Sequence, residues 1–309
     1  MALRIGVIGV GHLGKHHARI LAAMPGVQLV GIVDTNLGRV TEIASEYGTR
    51  PSMDPAELMG KVDAVTIAVP TRLHHEIALP FLAAGIPVLV EKPMASDLDE
   101  ADGMIALATR TGAVLGVGQT ERFNPAVAAA REHLTDPRFI EVHRLGVFPE
   151  RSLDVDVVFD VMIHDLDVIL SLVPSEVESI DAVGVPVLTK RVDIANARVR
   201  FKNGCLANLT ASRISRDRVR KIRFFQPEAY LSIDYAAQKV EKFTLNRFLG
   251  VPRIDGGDIA VVNEEPLVRE LTDFADAVRL GRAPLVDGAQ GRRALALAQA
   301  ITDKIATIT

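Results

Sequence analysis

The chain has 309 residues, 48% hydrophobic and 24% charged, with 35 Lys and Arg against 39 Asp and Glu. That length exceeds what one hydrophobic core comfortably holds, so two domains are expected, with the composition of a globular protein. The formal net charge of −4 leaves no chain-wide basic footprint and argues against nucleic acid as a partner. The single cysteine, Cys205, cannot form an internal disulfide; it reads as a small apolar strand residue, a reactive thiol being the alternative. No stretch approaches the ~18 uninterrupted apolar residues of a membrane span. The first residues lack the apolar core and cleavage site of a signal peptide, so the expectation is a cytoplasmic protein with no membrane partner.

Leu3 to Ile8 is a short, β-branched apolar run, followed at once by Gly9-Val10-Gly11-His12-Leu13-Gly14. A helix-compatible run leads to Met24-Pro25-Gly26, and Val27 to Val33 is a second apolar run ending at Asp34. This spacing predicts strand, turn, helix and strand with a right-handed crossover. The alternation continues with a helix over Asn36 to Tyr47, a strand over Asp63 to Val69 and a helix over Leu73 to Ala84. A strand over Pro87 to Glu91, a helix over Asp97 to Arg110 and a strand over Ala113 to Val117 complete it. Ser96, with Asp99 three residues on, suits the N-cap of the last helix. Apolar strands without inside–outside alternation, separated by helices, imply a parallel sheet covered on both faces.

After Arg122 the texture changes. Phe139 to Phe148, Val177 to Val185, Val192 to Phe201, Leu206 to Ser212, Val219 to Phe225 and Ala229 to Asp234 predict strands. A helix is inserted around Met162 to Leu172. Asn203-Gly204 predicts a hairpin turn, since both residues tolerate positive φ. The tail from Leu267 to Ile305 returns to helix, broken near Gly281 to Pro284. The expected fold is α/β: a doubly wound parallel Rossmann sheet over residues 1–120, then an α+β domain over 121–309 with a large, mostly antiparallel sheet. The helices of 267–309 are expected to pack back toward the first domain.

Gly9-x-Gly11-x-x-Gly14 stands in the context that gives such a triplet meaning. It follows a strand, opens a helix, and is answered by Asp34, 20 positions beyond Gly14 at the end of the next strand. Gly9 permits the tight turn, Gly11 lets backbone approach a pyrophosphate, and Gly14 lets helix and strand pack closely. The N–H groups of the turn, including those of His12 and Leu13, then face the phosphates. Asp34, with Thr35 beside it, would accept hydrogen bonds from ribose hydroxyls and repel a 2′-phosphate. NAD is therefore favoured over NADP, with Arg39 the residue that weighs the other way. His12 and His16 have a spacing that can hold a metal, but without further ligands none is expected.

At Glu91-Lys92-Pro93 the chain resembles the glucose–fructose oxidoreductase/inositol dehydrogenase (Gfo/Idh/MocA) family, over nearly its full length. Ala68-Val69-Pro70-Thr71-x-x-His74 is similar to the family's loop after the fourth strand, though the family often has Thr-Pro-Asn here. Gln119-Thr120-Glu121-Arg122-Phe123-Asn124-Pro125 is similar to its entry into the second domain. Asp160-x-x-x-His164-x-x-Asp167 resembles its catalytic helix, with Met162 where many members carry glycine. The resemblance implies a sugar oxidoreductase in which Val69, Pro70, His74, Glu91, Lys92 and Gln119 also line the cofactor. It implies His164 as the acid/base, Asp160 as its tuning partner and Lys92 as the group that stabilises the reacting oxygen. A solvated helix face, or a metal site built from Asp154, Asp156, Asp160, Asp165 and Asp167, competes for the aspartates. A surface lysine competes for Lys92.

The wording of 121–125 and 160–167 resembles the branch containing UDP-N-acetylglucosamine 3-dehydrogenase-like enzymes, which implies a nucleotide-sugar substrate. Arg122, Arg151 and Arg213 are the candidates for contact with it beside Lys92 and His164. Arg213, Arg216, Arg218, Arg220, Lys221 and Arg223 form a basic run that equally suits a solvated sheet face. A free sugar or inositol-type polyol, or a cofactor-binding regulator without turnover, are the alternatives. The large sheet needs cover, so a homodimer or homotetramer through it is expected.

Overall fold

The computed structural model describes residues 2–148, 155–248 and 251–306. The chain divides into two compact units, Met1–Thr120 with Leu267–Arg292, and Glu121–Pro266 with Arg293–Thr309.

In the first unit β1 (Leu3–Ile8), α1 (Gly14–Ala23), β2 (Val27–Val33), α2 (Leu37–Glu46) and β3 (Arg50–Ser52) come first. They are followed by β4 (Ala64–Ile67), α3 (His74–Ala83), β5 (Val88–Glu91), α4 (Leu98–Thr111) and β6 (Leu115–Gly118). The sheet is parallel, in the order β3-β2-β1-β4-β5-β6, the doubly wound arrangement. β4, β5 and β6 are buried at every position, which is why they read as unbroken apolar runs. α4 starts one residue later than expected. Asp97, not Ser96, accepts the Glu100 N–H, while the Glu100 carboxylate accepts the Ser96 N–H, a capping box shifted by one position.

The second unit holds α5 (Pro125–Arg131), β7 (Phe139–Leu145), α6 (Ile163–Leu172), β8 (Val177–Val185), β9 (Ile194–Phe201) and β10 (Leu206–Ser212). It continues with β11 (Val219–Gln226), β12 (Ala229–Asp234), β13 (Lys239–Phe248) and β14 (Val251–Ile259); α7 (Pro266–Leu280) and α8 (Gly288–Ala306) end the chain. Eight strands pair in the order β14-β13-β12-β11-β7-β10-β9-β8. All neighbours are antiparallel except β7 and β10, where Phe139 faces Leu206 in parallel register. The long connection through α6, β8 and β9 allows that pairing, which a hairpin could not. The β9–β10 hairpin turns at Gly204, with φ of 85°; Asn203 keeps a negative φ and its side chain accepts the Cys205 N–H instead.

Strict alternation along β9 sends Ala195, Ala197, Val199 and Phe201 inward against α6 and the latter part of α8. On the opposite face Phe139, Phe225, Tyr230 and Phe243 form a row across β7, β11, β12 and β13, with successive ring centroids 5.5, 5.2 and 6.2 Å apart. The tail does not belong wholly to the second unit. Leu271, Phe274 and Ala275 of α7 join the core of the first, because they pack on its sheet with Ile5 and Leu89. No helix among the described residues is long and apolar enough to cross a membrane.

Candidate active site

The expected cofactor segments leave the carboxyl ends of parallel strands: Gly9 after β1, Asp34 after β2, Val69 and Pro70 after β4, Lys92 after β5, Gln119 after β6. These ends share one sheet edge, and the order reverses between β1 and β4, where open α/β sheets bind ligands.

The three glycines answer three separate constraints. Gly9 has φ of 85°, and a Cβ there would come 2.5 Å from the Ala68 carbonyl oxygen. A Cβ on Gly14 would lie 1.7 Å from the Gly9 carbonyl oxygen, so this position is closed by packing. Around Gly11 a Cβ would meet nothing within 4 Å. The space there is open, and Leu13, the N-cap of α1, supplies no side-chain cap, while the Lys15 and His16 N–H groups donate to the Gly11 and Leu13 carbonyl oxygens. A turn with open backbone, helix N–H donors and a nearby carboxylate is the donor set that a dinucleotide needs. His12 and Leu13 are exposed beside it.

Asp34 braces the turn. Its Oδ2 accepts the Val10 N–H at 2.9 Å and its Oδ1 accepts the Asn36 N–H at 2.8 Å, while Arg39 Nη1 lies 3.6 Å from Oδ2. Thr35 is exposed beside it.

His74 is buried, with Nδ1 2.9 Å from the Pro93 carbonyl oxygen and Nε2 2.9 Å from that of Val69. Burial lowers its pKa, while the two carbonyls and Glu91 oppose that shift. Its ring nitrogens are spent on backbone, so its part in a cofactor site is to hold the Val69–Pro70 loop against the Lys92–Pro93 turn. The Glu91 carboxylate accepts the Lys92 N–H at 3.2 Å and meets His17 Nε2 at 3.0 Å, both side chains buried. Glu270 of α7 completes a group whose ligand atoms lie within 4.8 Å of one another. A Cβ on Gly118 would lie 3.0 Å from the Glu91 carboxylate, so glycine there leaves room for it. His17 and Glu270 carried no sequence signal.

In the second unit a π-helical turn, Val158–Met162, runs into α6, so Asp160 lies within a local widening and His164 follows it in the first turn of α6. Such single π turns are found disproportionately at functional sites. The residues flanking His164 are pinned from below. Asp165 receives a fork from Arg144, Nε to Oδ2 at 2.6 Å and Nη2 to Oδ1 at 3.0 Å. Arg144 also donates to Glu121 at 2.9 Å and lies over the Tyr235 ring, 4.9 Å from its centroid. Asp167 accepts from Arg122 Nη1 at 3.2 Å; burial pushes its pKa up to about 6, with Arg122 pulling the other way.

These pairs revise several expectations. Asp165 and Asp167 are neither solvated nor metal ligands but buried partners of arginines, and Asp156 accepts the Val192 N–H. Arg122 is buried against Asp167 and so positions α6 rather than reaching into solvent for a substrate. Arg213 is 2% exposed, donating to Asp193, to the Val155 carbonyl oxygen and to the Thr189 hydroxyl, which removes it as a surface phosphate contact. Of the basic run after it, Arg216 and Arg218 lie in the loop before β11, and Lys221 and Arg223 lie on the outer face of that strand, paired to Asp234 and Glu141. Arg151 and Asp154 lie outside the described residues. Lys92 and His164 are each partly buried, and Gln119 is buried at its strand end.

Residues 3–119 match the model of the oxidoreductase family with an NAD-binding Rossmann fold, and 130–230 match the GFO/IDH/MocA C-terminal domain. The chain is 39% identical to UDP-N-acetylglucosamine 3-dehydrogenase of Acidithiobacillus ferrooxidans over 96% of its own length and 95% of that protein. It is 27% identical to the NAD(+)-dependent scyllo-inositol 2-dehydrogenase of Bacillus subtilis, covering 92% of this chain and 88% of that one. The solved structure of the Acidithiobacillus ferrooxidans enzyme superposes with a TM-score of 0.93 at 36% identity, covering 99% of both chains. Levoglucosan dehydrogenase, complexed with NADH and levoglucosan, shares the fold at a TM-score of 0.90 and 20% identity, over 100% of this chain and 98% of that one. Matched over residues 3–119 and 130–230 by the family's two domain models, this chain belongs to the Gfo/Idh/MocA family of NAD-binding oxidoreductases.

Proposed function

We propose that this protein is an NAD-dependent dehydrogenase that oxidises the C3 hydroxyl of UDP-N-acetylglucosamine to a ketone. The observation that carries the substrate is the 39% identity, over 96% of the chain, to a protein named for that reaction. The geometry supports the reaction type. Oxidising a secondary alcohol takes a hydride from carbon and a proton from oxygen, and bound NAD supplies the hydride acceptor.

The chain's own residues handle the rest. The open backbone at Gly11 and the first turn of α1 hold the pyrophosphate. Asp34 takes the adenosine ribose hydroxyls, since each carboxylate oxygen keeps acceptor capacity beyond its one backbone N–H. The same charge favours NAD over NADP. His164 accepts the hydroxyl proton, imidazole being the side chain whose ordinary titration suits that exchange. The Lys92 ammonium donates to the same oxygen and stabilises its developing negative charge. Asp160 orients the imidazole, and the Arg144–Asp165 and Arg122–Asp167 pairs fix the helical turn that carries it. Mass spectrometry of the sugar after incubation with NAD tests the assignment: loss of two hydrogens at C3 supports it, and an unchanged sugar refutes it.

The aromatic row on the open sheet face supports a homodimer, or a tetramer of such dimers, joined through it. A patch of this kind left in water is an association hazard, and a second copy of the same face covers it symmetrically. A cytoplasmic setting, where nicotinamide and nucleotide sugars meet, fits this chemistry.

A further inference from the structure

We propose that the buried Arg213–Asp193 ion pair is a positioning pair for proton transfer, holding the chain where the His164 helix begins. This rests on the reading of His164 and Asp160 above and deepens it, because it gives that helix a second anchor, separate from Arg144 and Arg122.

Arg213 follows β10 and Asp193 precedes β9, so the ends of two neighbouring strands bring them together. Each guanidinium nitrogen has its own acceptor: Nε the Asp193 Oδ1 at 2.9 Å, Nη1 the Val155 carbonyl oxygen at 2.6 Å, and Nη2 the Thr189 hydroxyl at 3.1 Å. Asp193 in turn gathers the loop before it through the N–H groups of Val187, Leu188 and Thr189. Two further bonds tie this loop to the chain after Val155. The Val157 N–H donates to the Val192 carbonyl oxygen and the Val192 N–H to Asp156 Oδ1, both at 2.9 Å.

The helix starts from the residues so held. The Asp156 carbonyl oxygen accepts the Phe159 and Asp160 N–H groups at 3.1 Å each, and the Val158 carbonyl oxygen accepts that of Ile163, the residue before His164. A shift of Val155–Val157 therefore passes along hydrogen bonds to Asp160 and His164. Stability is a weak reason for such a pair, since apolar residues of similar volume often replace a buried ion pair at no loss. A planar fork with three fixed acceptors supplies what an apolar contact does not, one position for the chain it holds. Misplacing a reacting group by about 1 Å lowers the rate by about 10²-fold.

The test is Arg213→Lys, which keeps the charge but presents one ammonium where the fork had three separate donors. In NMR of histidine-labelled protein, the His164 imidazole signal is the one that His164→Ala removes. It should shift in Arg213→Lys, while that of His74 in the first unit stays in place. With NAD and UDP-N-acetylglucosamine, kcat should fall by about 10–100-fold while NAD affinity stays within about twofold. A purely structural role would lower the melting temperature and leave the His164 signal of the folded protein where it was. An unmoved signal, or an unchanged kcat, overturns the proposal. Should Arg213→Lys fail to fold, Thr189→Val, which removes the hydroxyl that accepts from Nη2, must move the same signal and lower kcat; no movement overturns it too. A wild type that binds NAD yet oxidises no sugar would instead refute the reading of His164, and the NMR comparison then still decides whether the pair places the helix.

Discussion

His17 Nε2 lies 3.0 Å from Glu91 Oε1, joining the helix behind the glycine turn to the residue that precedes Lys92. Both side chains are buried, and Glu270 stands within reach of both. Removing one partner of a buried hydrogen bond leaves the other unsatisfied, a loss of about 1–3 kcal/mol. His17→Ala should therefore lower the unfolding free energy by about 2 kcal/mol in urea titration. A loss well under 1 kcal/mol would mean that the pair contributes nothing to holding the Lys92 turn.

Gly11 and Gly14 should separate binding from folding. A Cβ at Gly14 overlaps the Gly9 carbonyl, whereas one at Gly11 enters open space. Gly11→Ala should melt within a degree or two of the wild type yet weaken NAD by about tenfold or more, because the methyl occupies the pyrophosphate's approach. Gly14→Ala should lose stability outright. Unchanged NAD affinity in Gly11→Ala would place the pyrophosphate elsewhere.

Asp193 gives a pH prediction with a definite sign. The buried carboxylate accepts the N–H groups of Val187, Leu188 and Thr189, the Thr189 hydroxyl, and the Arg213 Nε. Burial raises its pKa, but these donors outweigh it and hold the group well below the usual carboxylate range. A depressed folded pKa stabilises the fold above the unfolded value of about 3.9 and loses that contribution as pH falls through the folded value. Asp193→Asn should be less stable than the wild type at pH 7, and the gap should narrow as pH drops below about 4. A gap independent of pH would show that the carboxylate's charge plays no part.

The aromatic row predicts its own disruption. Tyr230 packs against Phe225 and Phe243 on the face away from the core. Tyr230→Asp should shift the protein from dimer or tetramer to monomer in sedimentation at micromolar concentration, with the second-unit core intact. A wild type that already sediments as a monomer rules out this interface.

The first unit was legible because its signals are local. β1 and β2 are apolar runs, buried toward their carboxyl ends, with the bounds their residues suggest, and the glycine turn lies between a strand and a helix a few residues apart. The pairs that organise the site join distant positions, and the chain's pattern does not show them. His17, Glu91 and Glu270 lie on three elements; Glu91 stands out by its Glu-Lys-Pro motif, but His17 and Glu270 each read as an ordinary helix residue. Arg213 opens a run of exposed cations, so its burial against Asp193 is masked by its neighbours. β13 and β14 were missed for a different reason: β14 carries Pro252, Gly256 and Gly257 and is mostly exposed, so no apolar periodicity marks it. The parallel pairing of β7 with β10 follows from tertiary packing, since strand composition is blind to the direction of a neighbour.

Mixing the protein with NAD and UDP-N-acetylglucosamine, and following the absorbance of reduced nicotinamide, tests hydride transfer most directly. NADH should form with the wild type, and His164→Ala should slow its formation by about 10²–10⁴-fold while NAD affinity stays within about twofold. No NADH with this or any sugar of a broad panel, from a protein that binds NAD tightly, would contradict an enzymatic role and leave a cofactor-binding regulator in its place.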